Sequence, residues 1–185
     1  MKQDIVVLIS RRFRNLLFLV GMATGFVLAV QPIFASADPA PCSANSANRQ
    51  FDFWLGDWTV TYPGAAAPST SKVYLELDQC LLVESWSGGG NHAGKNMFAY
   101  SFDDKSWHGM FADNLGRVHV FEGKVAPGSA EFLGPSRGPN GQAVLNRIRV
   151  VQINPETVQQ TWEKSSDNGA SWNMEFRGEY SRNSH

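Results

Sequence analysis

The sequence is poor in charge and shows no bias in its sign. Charged residues are 18% of the 185, and 16 Lys+Arg against 17 Asp+Glu leave a net charge of −1. Nucleic-acid binders show a basic patch or stripe, so this balance argues against such a partner. Cysteine is almost absent: only Cys42 and Cys80 occur, spaced too widely for a Cys-x-x-Cys redox or zinc motif. A Gly-x-Ser-x-Gly elbow, a lysine-bearing phosphate loop and a His-Glu-x-x-His helix are all missing. The histidines His92, His108, His119 and His185 never fall at metal-ligand spacing, so neither a metal nor a cofactor is expected. A haem-binding barrel would need a proximal histidine on a late strand, and only the terminal His185 follows His119. Internal repeats and long amphipathic helices are lacking too, which excludes solenoids and helix bundles.

What is present begins with a leader. Lys2, Arg11, Arg12 and Arg14 form a positive region, Leu16 to Val30 run without a charge, and Ala35-Ser36-Ala37 offers small residues for a signal peptidase. The apolar run is shorter than the roughly 20 residues that span a bilayer, so a cleaved signal peptide over 1–37 is expected rather than a stable anchor. Ser10-Arg11-Arg12 hints at a twin-arginine signal, but Phe13 follows the pair one place early, and the Sec route is the default. Pro39-Ala40-Pro41 before Cys42 does not resemble a lipidation site. Cleavage removes four basic residues and Asp4, leaving 12 basic and 16 acidic residues and a net charge of −4. A mildly acidic exported protein has no electrostatic reason to seek anionic membranes. Two cysteines in the periplasm or outside the cell read as one disulfide, Cys42 to Cys80.

Beyond a Pro/Ala/Ser/Asn linker (residues 38–50), hydrophobicity repeats every two residues. The runs Asp57–Tyr62, Ser71–Asp78, Leu81–Ser87, Lys95–Phe102, Trp107–Ala112, Arg117–Val125, Ala130–Leu133, Ala143–Ile153, Thr157–Lys164 and Ser171–Tyr180 read as strands, rich in Val, Phe, Tyr and Trp. Pro63-Gly64, Gly88-Gly89-Gly90-Asn91, Asp103-Asp104, Asn114-Leu115-Gly116, Pro127-Gly128, Gly134 to Gly141, Asn154-Pro155 and Asp167-Asn168-Gly169 separate them as turns. A meander of about ten hairpin-linked strands hides its edges most simply by closing, so the fold class is an all-β, antiparallel up-and-down barrel over 51–185. One helical turn is expected near Gln50–Leu55.

Two motifs carry resemblances. Phe51-Asp52-Phe53-Trp54-Leu55-Gly56-Asp57-Trp58 contains Gly56-x-Trp58, which resembles the opening motif of lipocalin-like (calycin) barrels. The whole string is similar to the opening of an exported bacterial family with a lipocalin-like domain and no established activity. That likeness continues through Cys80-x-x-x-Glu84-x-Trp86, Trp107 to Gly116, Gln160-x-Trp162-Glu163 and Tyr180-x-Arg182. The resemblance implies that Trp58 closes the barrel bottom beneath an arginine of the last strand, Arg177 or Arg182. The second motif, Ser165-x-Asp167-x-Gly169-x-Ser171-Trp172, is similar to the Asp-box hairpin of sialidase propellers. A single copy makes it a turn staple, not a sign of glycoside chemistry.

Function is sought in the barrel interior. Alternation nominates Trp107, Phe111, Val118, Val120, Trp162, Trp172, Met174, Phe176 and Tyr180 as inward or sheet-packing residues. Glu84, Glu122, Arg147, Arg149 and Gln160 stand out as polar residues in apolar strands; if Glu84 and the arginines all face inward, they must pair or fix a carboxylate or hydroxyl ligand. His108 and His119 lie on adjacent strands and form a possible acid/base pair. The candidate ligand-binding set is Glu84, Tyr100, Trp107, Phe111, His119, Glu122, Arg147, Arg149, Gln160 and Trp162. The expected function is binding of a small apolar or amphipathic molecule. The alternative is a cyclase, isomerase or lyase using Glu84, Glu122 or His119 as acid/base, and a filled barrel serving protein contacts is a third reading.

Overall fold

The computed structural model describes residues 41–184; the expected leader and the first residues of the expected linker lie outside the described residues. Ten strands follow one another around a closed antiparallel barrel. They are β1 (Gly56–Thr61), β2 (Ser69–Glu76), β3 (Leu81–Ser87), β4 (Ala93–Tyr100), β5 (Trp107–Asp113), β6 (Val118–Ala126), β7 (Ser129–Arg137), β8 (Ala143–Asn154), β9 (Thr157–Ser165) and β10 (Asn173–Arg182). β10 closes on β1 from Trp58↔Arg182 to Thr61↔Glu179. The sheet therefore has no free edge, as the meander requires.

The two ends of the barrel differ. One is plugged by the segment before β1, where a 3-10 helix (Asp52–Trp54) carries Phe51 and Trp54 into the interior with no exposed surface. Phe51 meets Phe98, Trp107 and Phe132, and Trp54 meets Phe98 and Tyr180. Trp58 lies beside them and donates its indole N–H to the Trp54 carbonyl at 3.0 Å. The guanidinium of Arg182 covers the Trp58 ring at 4.2 Å and donates to the Leu55 carbonyl at 2.8 Å. Of the two candidate arginines, Arg182 is therefore the stacking partner, while Arg177 is exposed. Gly56 has φ +138°, and a Cβ there would collide with the Arg182 guanidinium, which explains the glycine of Gly56-x-Trp58.

The segment read as a linker is tied down from residue 42. A helix, α1 (Ser46–Arg49), is capped by Asn45, whose Oδ1 accepts from the Ala47 N–H at 2.9 Å. Cys42 joins Cys80 with a Cα–Cα distance of 5.0 Å, as the cysteine count predicted. Arg49 reaches the same β2–β3 turn, donating to the Gln79 side chain and carbonyl at 2.8 and 2.7 Å. Crosslinking residues 38 positions apart restricts the unfolded chain and stabilises the fold by about 3–4 kcal/mol in the chain-entropy view.

Several side chains take the opposite face from the one expected. In β6, Phe121 and Val125 point inward with His119, so Val118 and Val120 stand 59% and 60% exposed on the outside. The phase of Val118 and Val120 also carries Glu122 and Lys124, whereas Phe121 and Val125 share the other, which takes the core. In β8, Ile148 and Val150 are fully buried, so period two turns Arg147 and Arg149 outward. In β10, a register shift between Met174 and Phe176 breaks the alternation, leaving Met174 exposed while Phe176 packs on the core. β7 runs past Gly134-Pro135 to Arg137, where a turn was expected. Its pairing with β6 does end at Glu122↔Leu133, yet pairing with β8 continues to Arg137↔Ala143. A Cβ at Gly134 would strike the Val120 carbonyl, so glycine permits this close approach.

The Ser165–Trp172 hairpin is a staple, as read. Asp167 Oδ1 accepts from the Ser171 N–H at 2.8 Å, Gly169 takes φ +92°, and Arg147 stacks over the Trp172 ring at 3.9 Å.

Trp58→Ala removes a fully buried indole from the plug and should cost about 3–5 kcal/mol. A thermal melt checks this; a midpoint within a degree of wild type would contradict the structural role of the plug.

Candidate functional site

Period two in five strands brings one layer of polar side chains inside the barrel, directly above the plug. Ser71 (β2), Glu84 (β3), Asn96 (β4), Gln160 (β9) and Tyr180 (β10) are all buried, none more than 5% exposed. Glu84 is the hub. Its Oε1 is 2.8 Å from the Ser71 hydroxyl and 2.9 Å from the Tyr180 hydroxyl, and its Oε2 accepts from Asn96 Nδ2 at 2.6 Å. The Tyr180 hydroxyl also stands 2.6 Å from Gln160 Oε1.

Hydrogen-bond geometry narrows this layer to two arrangements, and burial decides between them. Tyr180 has one proton and two acceptor neighbours, and Gln160 Oε1 is the nearer. A neutral Glu84 carboxyl completes the layer when Tyr180 donates to Gln160, and an ionised one completes it when Tyr180 donates to Glu84 and the Gln160 amide turns its N–H toward Tyr180. Burial pushes the Glu84 carboxyl up from its ordinary value near 4.5, against the opposing bonds from Asn96, Ser71 and Tyr180. Burial and the neighbouring Glu84 likewise push the Tyr180 hydroxyl well above its usual value. No cation touches Glu84 among the described ion pairs.

Above this floor lies a cavity of about 290 Å³. Tyr62, Trp86, Phe111, Trp162 and Phe176 form its walls, while His92, Arg117, Lys164 and Glu175 complete the lining toward the open end. The charges there are paired. Arg117 Nε donates to Asp113 Oδ2 at 2.6 Å, His92 Nε2 is 3.0 Å from the same oxygen, and Lys164 meets Glu175 at 2.9 Å. Burial opposes ionisation of Asp113, but the bonds from Arg117 and His92 outweigh it and hold the carboxyl well below the usual range. The Gly88–Asn91 loop ends at His92, whose ring edge meets Trp86 at 5.0 Å. It therefore sits at the open end of the barrel.

Of the ten candidate ligand-binding residues, Glu84, Phe111, Gln160 and Trp162 line the cavity. His119 packs against Phe111, Phe121 and Trp162, and burial, then Lys164 and Arg117, lower its pKa and keep the ring neutral. Tyr100 and Trp107 face inward at the plugged end, packed against each other with tilted rings 5.9 Å apart and away from the cavity lining. Glu122, Arg147 and Arg149 are on the outer surface. Glu122 accepts from Ser106 at 3.1 Å, Arg147 pairs with Glu163 at 2.8 Å and Arg149 with Glu131 at 2.7 Å. An interior Glu84–arginine network is therefore excluded. His108 points outward to Asp104 at 2.8 Å, so it cannot meet His119 across the sheet. Asn96, Trp86 and Tyr62 were missed. Asn96 was readable: it shares the inward phase of Phe98 as a polar residue between Gly94 and Phe98.

The raised Glu84 value has a thermodynamic consequence. The folded protein keeps a proton that the unfolded chain releases above about pH 4.5. The contribution of Glu84 is thus fully present below that pH and is lost as pH rises toward the folded-state value, by up to about 1.4 kcal/mol per pH unit. Gln reproduces the protonated carboxyl, its Nε2 donating to Tyr180. Urea melts of Glu84→Gln should lie within about 1 kcal/mol of wild type near pH 4.5 and gain on it as pH rises. A loss of several kcal/mol at every pH would show that the carboxyl is held ionised.

Compared with known proteins, the chain matches no family model and no curated protein, so its functional reading rests on the cavity.

Proposed function

We propose that this is an exported lipocalin-like barrel that binds one small apolar or amphipathic molecule in its open half. The observation that carries the reading is the space of about 290 Å³ between a hydrogen-bonded polar floor and five aromatic walls. That volume sits at the small end of ligand pockets, about 300–1,000 Å³, and its mix of aromatic surface with a few convergent polar groups is typical of them. The likeness of Phe51–Trp58 to the opening of exported lipocalin-like proteins supports the assignment, and the Cys42–Cys80 disulfide fits an oxidising compartment. The acid/base alternative is weaker here. Glu122 faces outward, and both carboxyl oxygens of Glu84 are already held by Ser71, Tyr180 and Asn96.

Gly94 faces inward beside the Phe111 ring, so a side chain grown there competes with a ligand for the cavity. The neutral dye N-phenyl-1-naphthylamine should bind wild type one-to-one, read by its emission, and Gly94→Leu should weaken it at least about tenfold while far-UV dichroism stays native. Equal binding by both proteins would place the dye outside the barrel and count against the reading.

A further inference from the structure

The cavity leaves two buried polar atoms without partners. Asn96 is 5% exposed and spends its Nδ2 on Glu84, which leaves its Oδ1 with no hydrogen bond. The indole N–H of Trp86, on the wall next to this floor, is unpartnered as well. Buried acceptors and donors are nearly always satisfied, so a pair of orphans lining one cavity marks where a ligand's polar group belongs. One orphan accepts and the other donates. A hydroxyl, or a ring that carries both N–H and C=O, answers both.

The same lining excludes an anionic head. Arg147 and Arg149, the cations that could have held a carboxylate, are outside the barrel. The two cations nearer the open end are committed to Asp113 and Glu175. At the floor an incoming carboxylate would meet the carboxyl of Glu84 and the unpartnered Asn96 oxygen, with the single Trp86 N–H too little to offset its desolvation. The walls add a shape preference. Trp86, Phe111 and Trp162 present rings to the space, and Phe111 and Trp162 meet edge to face at 5.1 Å. Flat π-surfaces fit such a slot better than branched aliphatic chains do.

We propose that the ligand is an uncharged, planar aromatic molecule bearing a hydroxyl or ring amide, which enters polar end first and donates a hydrogen bond to Asn96 Oδ1. This rests on the reading of the cavity as a ligand site, and it adds which end leads and which charge is refused. Fatty acids and other carboxylates fall outside the class; phenols and hydroxylated or lactam-bearing fused rings fall within it.

Three probes of one shape test it: naphthalene, 2-naphthol and 2-naphthoate, titrated near pH 7 while tryptophan emission is followed. The expected order is 2-naphthol about tenfold tighter than naphthalene, with 2-naphthoate at least tenfold weaker than naphthalene. Asn96→Ala should bring 2-naphthol down to the affinity that the same variant shows for naphthalene. If that variant does not fold, the order of the three probes on wild type decides alone. Binding of 2-naphthoate as tight as that of 2-naphthol overturns the proposal while leaving the ligand site standing. A preference for 2-naphthol that survives Asn96→Ala also overturns it. Failure of all three probes to bind overturns both this proposal and the ligand-binding reading.

Discussion

A carboxyl group in an apolar interior must be neutralised, paired with a cation or densely hydrogen-bonded, and among the described residues no cation pairs with Glu84. The rest of the interior is arranged around that constraint. Ser71, Asn96 and Tyr180 surround the group from three other strands, and Gln160 extends the chain of bonds to a fourth. The layer so formed divides the barrel. On one side the space is filled by Phe51, Trp54, Trp58, Phe98, Trp107 and Phe132; on the other a cavity of about 290 Å³ remains.

The two halves are mechanically linked through Tyr180. Its ring stands edge-on to Trp54 and Trp58 in the plug, with centroids 6.0 and 6.4 Å away, while its hydroxyl carries the bond between Glu84 and Gln160. The plug is in turn held from outside by Arg182 over Trp58 and, through α1, by Arg49 and the Cys42–Cys80 bond. The segment before β1 is therefore part of the device that sets the depth of the cavity. Rigid support of this kind is what a preorganised site needs, because a floor that shifted would lose the alignment of Asn96 and Trp86 with a ligand.

The barrel was legible in the sequence because period two and turn residues alternate along the whole chain; the Gly56-x-Trp58 likeness pointed to the same closure. Which face each strand buries was legible only where one phase is clearly apolar. In β8 the flanking of Ile148 by Arg147 and Arg149 already implies arginines outside, and weighing the charges singly hid that. In β6 the phase of Val118 and Val120 continues into Glu122 and Lys124, which already turns it outward, and the two leading valines masked that signal. The bulge that exposes Met174 and the continuation of β7 through Pro135 depend on neighbouring strands, which a local pattern does not encode. Four of the ten candidate site residues reach the cavity. Glu84, Phe111, Gln160 and Trp162 were recognised, whereas Asn96 was overlooked as an ordinary polar residue.

The central claim is that the floor of the cavity is an uncharged carboxylic acid. Its direct test is the side-chain carboxyl 13C shift of Glu84, followed by NMR from about pH 4 to pH 8 and assigned by the signal missing in Glu84→Gln. A carboxyl that remains protonated well above its ordinary value near 4.5 is the predicted result. A midpoint at or below that value would mean that the interior stabilises a charge, and the division of the barrel described here would be wrong.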